Sequence, residues 1–200
     1  SLVAVIALSV IGIYLYSNFV IKPKEQKAFN EMYYSQKKFD EAILINNDSL
    51  YNLVLNGDGT NLGMLAMIDE YGGTNAANLA AYYSGMIYLK MNDYQNSIKY
   101  LSEFSSDDMI LGSLATGSIG DAFAELNQYE DAYEYYVKAS KNNNSYTSPI
   151  YLFKAGLIAM KLEKFKKAEG YFSSIKSDYS KSAEAKNIDA YISKARASYQ

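Results

Sequence analysis

The chain has 200 residues, of which 49% are hydrophobic, enough for one domain with a real core. It contains neither cysteine nor histidine. That excludes disulfides and thiolate chemistry, and removes the commonest general base and metal ligand. A net charge of −3 gives no basic footprint for nucleic acid, and the 21 tyrosines are expected mainly as inter-helix rings with a wet hydroxyl.

Leu2 to Ile21 carries no charge, and as a helix it spans about 30 Å, the thickness of a bilayer core. Tyr14, Tyr16 and Phe19 gather at one end as an interfacial belt, and Lys22-Pro23-Lys24 closes the stretch. A cleaved signal peptide is the alternative, but such segments have shorter apolar runs and a small-residue cleavage site. Residues 1–22 are therefore expected to form a single uncleaved membrane anchor, with Ser9 and Gly12 small enough for close contact with another span. The chain begins without methionine, so further residues are expected before Ser1. Lys22, Lys24 and Lys27 alone would point to the cytoplasm, while absence of cysteine suits an oxidising compartment. From the residues alone, both topologies stay open.

A helix is predicted from Lys24 to about Asn46, with Phe29, Tyr33 and Ala42 on related faces. Residues 23–75 are expected to form an atypical first repeat with an insert. Asn46-Asn47-Asp48-Ser49 and Asn56-Gly57-Asp58-Gly59-Thr60-Asn61 are turn-rich, and a short helix from Leu62 to Tyr71 should stop at Gly72-Gly73. The glycine-rich stretch fails as a phosphate loop, because the third glycine is missing and no strand precedes it. It also fails as a calcium loop, where Thr60 and Leu62 would occupy ligand places. A turn followed by an N-cap is the expectation.

Residues 76–200 are expected to hold three regular hairpins and a capping helix. Ala76–Met91 pairs with Tyr94–Phe104, Met109–Asn127 with Tyr129–Ser140, and a helix from Pro149 to Leu162 with Phe165–Ile175. Thr74 and Ser182 each precede an alanine-rich segment as N-caps would. The last helix is predicted from Ala183 to Ser198. Glu130, Asp131, Glu134, Asp107 and Asp108 lie near helix starts, where they suit the helix dipole. No acid–base pair or activated nucleophile stands out, so no catalytic residue, cofactor or metal is expected.

A motif of an aromatic, two polar residues and a small one recurs: Phe39-Asp40-Glu41-Ala42, Tyr94-Gln95-Asn96-Ser97, Tyr129-Glu130-Asp131-Ala132 and Phe165-Lys166-Lys167-Ala168. The last three are 35 and 36 residues apart, and Gly85, Gly120 and Gly156 each precede the aromatic by nine. Such a period marks a helical repeat array. Glycine inside an apolar helix is costly, which predicts a close approach by the second helix at each of these points.

These residues resemble the tetratricopeptide repeat, whose later aromatic corresponds to Leu101, Tyr136 and Phe172. Its first-helix aromatic (here Ala81, Thr116, Leu152) and terminal proline are missing. The resemblance implies an all-α, right-handed solenoid of helical hairpins that works by binding protein. Carrying over its groove positions gives Tyr82, Met86 and Lys90, then Gly117, Asp121 and Glu125, then Phe153, Leu157 and Lys161. The competing expectation is that Met86, Phe153 and Leu157 pack against a neighbouring hairpin.

One anchor followed by a short array is also similar to the YfgM-like ancillary subunits of the bacterial Sec translocon, in a Bacteroidetes-type version. That resemblance implies an inner-membrane, single-pass protein with a periplasmic domain beside SecYEG. Its partners would be a PpiD-like periplasmic chaperone and unfolded client chains. An envelope scaffold for outer-membrane assembly or Tol–Pal coordination, and a purely structural subunit, are the alternatives.

Overall fold

The computed structural model describes residues 2–200, with side chains from residue 5. The described residues are helical apart from turns and one isolated antiparallel bridge, Gly57 with Leu62. They fall into two compact units, Ser1–Ile87 and Tyr88–Gln200.

In the first unit, α1 (Leu2–Tyr16), a π turn (Ser17–Ile21) and α2 (Lys22–Ile45) form one continuous rod. The apolar stretch ends at Lys22, but the helix does not end at Pro23. Proline has no N–H to offer Phe19, and its ring would strike the Phe19 carbonyl. The ladder widens by one residue just before it, with the Lys22 N–H bonding Ser17 O. Val5–Ile45 is long and apolar enough to cross a membrane, and none of its most apolar stretch is buried in the protein.

The first turn of α2 is clamped onto the region where α4 (Met64–Glu70) gives way to α5 (Asn75–Lys90). The Glu25 carboxylate accepts from Asn75 N and Ala76 N at 3.0 and 3.2 Å, satisfying orphan donors at the α5 start. Lys24 donates to Gly72 O at 3.0 Å, and Lys27 lies 5.9 Å from the Tyr71 ring centre. Two lysines that suggested a topology signal therefore have structural partners. Thr74 caps α5 as predicted, accepting from Ala77 N at 3.1 Å.

The buried stripe of α2 is Ala28, Met32, Ser35 and Ala42, while Phe29 and Tyr33 are exposed. Ala42 is buried as expected, while at Phe29 and Tyr33 the buried face is offset by one residue, to Ala28 and Met32. Phe39 opens no second helix; it sits within α2 and packs on Tyr83 at 4.6 Å. The insert holds an unpredicted helix, α3 (Asp48–Asn56), capped by Asn47 and packed through Tyr51, Val54 and Leu55. After it the backbone crosses itself. A Cβ at Gly63 would lie 2.3 Å from Leu55 O and 2.4 Å from Gly57 N, so only glycine fits. The following helix, α4, starts two residues later than predicted and has no side-chain cap.

The second unit contains the last turn of α5, then α6 (Tyr94–Glu103), α7 (Met109–Glu125), α8 (Tyr129–Ser140), α9 (Ser148–Lys161), α10 (Phe165–Asp178) and α11 (Ile188–Ala197). From α6 onward, each helix packs against the next. Helices α5, α7 and α9 end in the same way. Asn92, Asn127 and Glu163 take positive φ of 61°, 59° and 58°. The next N–H in each case reaches back to Tyr88 O, Phe123 O or Ala159 O at 2.8–2.9 Å, a Schellman closure. The motif tyrosine supports it twice: the Tyr94 hydroxyl donates to Asn92 Oδ1 at 3.0 Å, and that of Tyr129 to Asn127 Oδ1. In the third hairpin both partners have changed, to Phe165 and Glu163. A side-chained residue in this conformation is strained unless it is asparagine-like. Glu163→Asn is therefore expected to raise stability by about 0.5–1 kcal/mol, read as a higher denaturant midpoint.

The motif's small residues, Ser97, Ala132 and Ala168, are fully buried. At Gly120 and Gly156, what approaches is a ring rather than a backbone. A Cβ at Gly120 would come within 2.8 Å of the Tyr136 ring, and one at Gly156 within 2.4 Å of the Phe172 ring. Tyrosines do pack between helices: Tyr88 stacks on Tyr100 at 5.4 Å, and Phe123 meets Tyr135 at 5.3 Å.

The last helix begins later than Ala183. Ser182 Oγ accepts from Ala185 N, which closes a turn instead of starting a helix. Asn187 then takes φ 63°, and α11 opens at the buried Ile188. With Ile192 and Ala195 it completes a core around Phe172 and Ile175. The Glu169 carboxyl is held below its usual range by the Tyr199 hydroxyl and then by Arg196, tying α11 to α10.

Candidate functional site

Of the positions expected to line a groove, Tyr82 and Met86 lie in the first unit, half-buried on α5. The Tyr82 ring meets Tyr83 edge-on at 5.9 Å. Lys90 is exposed at the end of α5.

The remaining positions lie on α7 and α9 of the second unit. Asp121 is already engaged, accepting from Lys154 Nζ at 2.6 and 2.8 Å and from the Tyr136 hydroxyl at 2.6 Å. Lys154 sits 5.5 and 5.7 Å from the ring centres of Tyr136 and Tyr151, which stack on each other. Burial, then the Asp121 charge, pushes the Tyr136 hydroxyl well above the usual tyrosine range, so it stays a donor. The Tyr151 ring lies on Gly117, where a Cβ would be 1.9 Å away. This cluster therefore joins α7, α8 and α9.

Lys154 was missed in the sequence, although it is the one charge inside the apolar run from Pro149 to Met160. The Lys154–Asp121 pair is about a third exposed, between the surface and buried cases. Lys154→Met is expected to cost about 1–2 kcal/mol in denaturant unfolding.

Glu125 and Lys161 share a register. Each stands near the end of a first helix and meets the ring that opens the second helix of the preceding hairpin. The Tyr94 hydroxyl is raised first by burial and then by the Glu125 charge. Lys161 Nζ lies 3.8 Å from the Tyr129 ring centre, a cation–π contact. Phe153 is half-buried and packs on Phe172 and Tyr191 at 5.8 and 4.9 Å. Leu157 is 40% exposed. Glu125, Leu157 and Lys161 are thus exposed, while Asp121 and Phe153 serve chiefly to hold the helices together.

On the apolar helix α1, Ser9 Oγ donates to Val5 O at 2.9 Å, and the Gly12 surface is open. Among the described residues, no cluster of acidic side chains could hold a metal. The glycine-rich loop is a turn. Asp58 accepts from Thr60 N, Asn61 N and Asn61 Nδ2. These bonds, led by the Asn61 N–H, hold its carboxyl far below the usual range. A depressed folded value gives stability that is fully present above the unfolded value of about 3.9 and lost as pH falls through the folded one. The destabilisation caused by Asp58→Ala should therefore shrink on strong acidification. Denaturant unfolding of both chains across pH checks this.

Residues 79–107 match the tetratricopeptide repeat family. No curated protein matches the chain. The matched residues hold one copy of the aromatic–small motif and the first of three equivalent turns, so the described residues form an all-helical array that is tetratricopeptide-repeat-like in its arrangement.

Proposed function

We propose that this protein is a membrane-anchored adaptor. Its N-terminal helix holds it in a bilayer, and the exposed residues of the first helices bind a protein partner. The observation that carries this proposal is the pairing of an unburied apolar helix, Val5–Ile45, with a tetratricopeptide-type array. Repeat arrays of this kind generally work by presenting an extended surface to other proteins. Catalysis has no support in the residues, since the chain offers no histidine or cysteine.

The finer assignment is an ancillary subunit of the Sec translocon in a bacterial inner membrane, with the array on the periplasmic side. It rests on the resemblance of one span plus a short array to the YfgM-like subunits. In that role the array would hold a PpiD-like chaperone or emerging unfolded chains, and the span would touch translocon helices near Ser9 and Gly12, where small residues allow close packing.

The test is purification of the full-length chain from its native membrane in mild detergent. A parallel chain would carry a foreign span in place of residues 2–21. Translocon subunits retained by the native span and lost with the foreign one are expected. Outer-membrane assembly factors retained with either span would contradict the Sec assignment and leave an envelope scaffold. Loss of function on replacing the span, with no effect of substituting Leu157 or Lys161, would make the protein a structural subunit.

A further inference from the structure

We infer that the cleft between α9, α10 and α11 is a subsite for an acidic partner segment, one carrying a large apolar side chain flanked by carboxylates. This deepens the adaptor function proposed above and rests on it. The cleft is open to solvent and holds about 460 Å³, within the size range of ligand-binding clefts. Leu157, Met160, Phe165 and Tyr191 give it an apolar lining, to which Lys161 and Lys194 add two positive charges. Part of this lining lies outside the inherited groove positions, because α11 packs on α10 as α9 packs on α8.

Charge complementarity identifies the occupant. The chain as a whole is acidic at −3, yet residues 161–167 carry Lys161, Lys164, Lys166 and Lys167 against Glu163 alone. The corresponding turn of the preceding hairpin carries Glu125, Glu130 and Asp131 instead. Two of these lysines are held in place by rings: Lys161 over Tyr129 at 3.8 Å and Lys164 over Tyr133 at 4.6 Å. The cleft itself is lined by two lysines, Lys161 and Lys194, and by no carboxylate, which favours carboxylates beside an apolar anchor and opposes a basic segment. A flat anionic surface would meet the lysines but leave the cleft unfilled, which favours a peptide over a membrane.

The test uses the full-length chain in zwitterionic nanodiscs and fluorescence anisotropy with a labelled peptide, Glu-Glu-Leu-Phe-Glu-Glu. Saturable binding is expected, with little for the same peptide flanked by lysines. The double variant Lys161→Glu, Lys194→Glu should weaken binding at least about tenfold, and Leu157→Asn should weaken it with the helical spectrum unchanged. All three substituted side chains are exposed, so folding is not at stake. No binding, equal binding of the basic peptide, or an unchanged affinity in the double variant would each overturn the inference. So would loss of binding on changing to anionic lipid, which would assign the lysines to the membrane surface. The two proposals fail separately. If peptide binding fails while the partner complex still co-purifies with the double variant, only the subsite falls. If neither chain retains any protein at the membrane, the adaptor function falls.

Discussion

Replacing Phe172 by alanine is expected to cost about 3–5 kcal/mol, the largest loss from any single truncation in the array. The ring is fully buried, and it occupies the space that a side chain at Gly156 would need. It also meets Phe153 at 5.8 Å and Tyr191 at 5.4 Å, so one ring joins α9, α10 and α11. Its removal leaves a cavity among three helices that cannot all close on it. The converse substitution is expected to fail as well. Gly156→Ala places a methyl 2.4 Å from the ring, which costs about 1–3 kcal/mol of overpacking. In Phe172→Ala that clash is gone, so the double variant should be less destabilised than the two single costs added together. Denaturant unfolding of the four chains tests this. Additive losses would show that the ring and the glycine do not share their space.

The second large effect concerns the apolar N-terminal helix and the anchoring proposed for it. Leu8→Arg with Ile11→Arg is expected to release the protein from the membrane fraction. The Leu, Ile, Val and Phe residues of the span each favour insertion by about 0.3–0.6 kcal/mol, whereas an arginine at mid-span opposes it by about 2.5–3.5 kcal/mol. Two arginines therefore offset most of what the span supplies. Both positions are exposed on α1, and the array begins far along the chain, so the helical spectrum should persist. Alkaline extraction of membranes distinguishes the outcomes. Retention of the double variant in the pellet would show that the helix is not what holds the protein there.

The helix pairs α7–α8 and α9–α10, and the turn between α5 and α6, were legible because each is written locally. Asparagine or a polar pair marks the turn, an aromatic opens the second helix, and a small residue follows three places on. The structure adds why these residues travel together: Tyr94 and Tyr129 bond the asparagines that take the left-handed turn, and where Phe165 replaces the tyrosine, Glu163 replaces the asparagine. Helix α3 could have been found, since Tyr51, Val54 and Leu55 have helical spacing behind the Asn47 cap, but the flanking turn residues drew attention away. The π turn at Ser17–Ile21 was not legible, because only the steric consequence of Pro23 within a continuing helix creates it. The true start of α11 depends on Ile188 reaching a core built by α9 and α10, which no local signal at Ser182 reports.

For the candidate site, the family positions found the exposed Leu157 and Lys161 but gave equal weight to Asp121, whose charge is taken up by Lys154. That pairing joins side chains 33 residues apart, and nothing in the spacing announces it. The α11 side of the cleft was missed because the last helix was read only as a cap.

The measurement that tests the adaptor account most directly is photocrosslinking in the native membrane. A photoreactive residue would replace Glu125, Leu157 or Lys161 on the first helices, and Asp131 or Glu134 on the second helix α8 as the comparison; all five are exposed. The account predicts discrete protein adducts from the first three sites and few from the other two. Adducts confined to Asp131 and Glu134, or none at any site while the protein remains membrane-bound and functional, would contradict it.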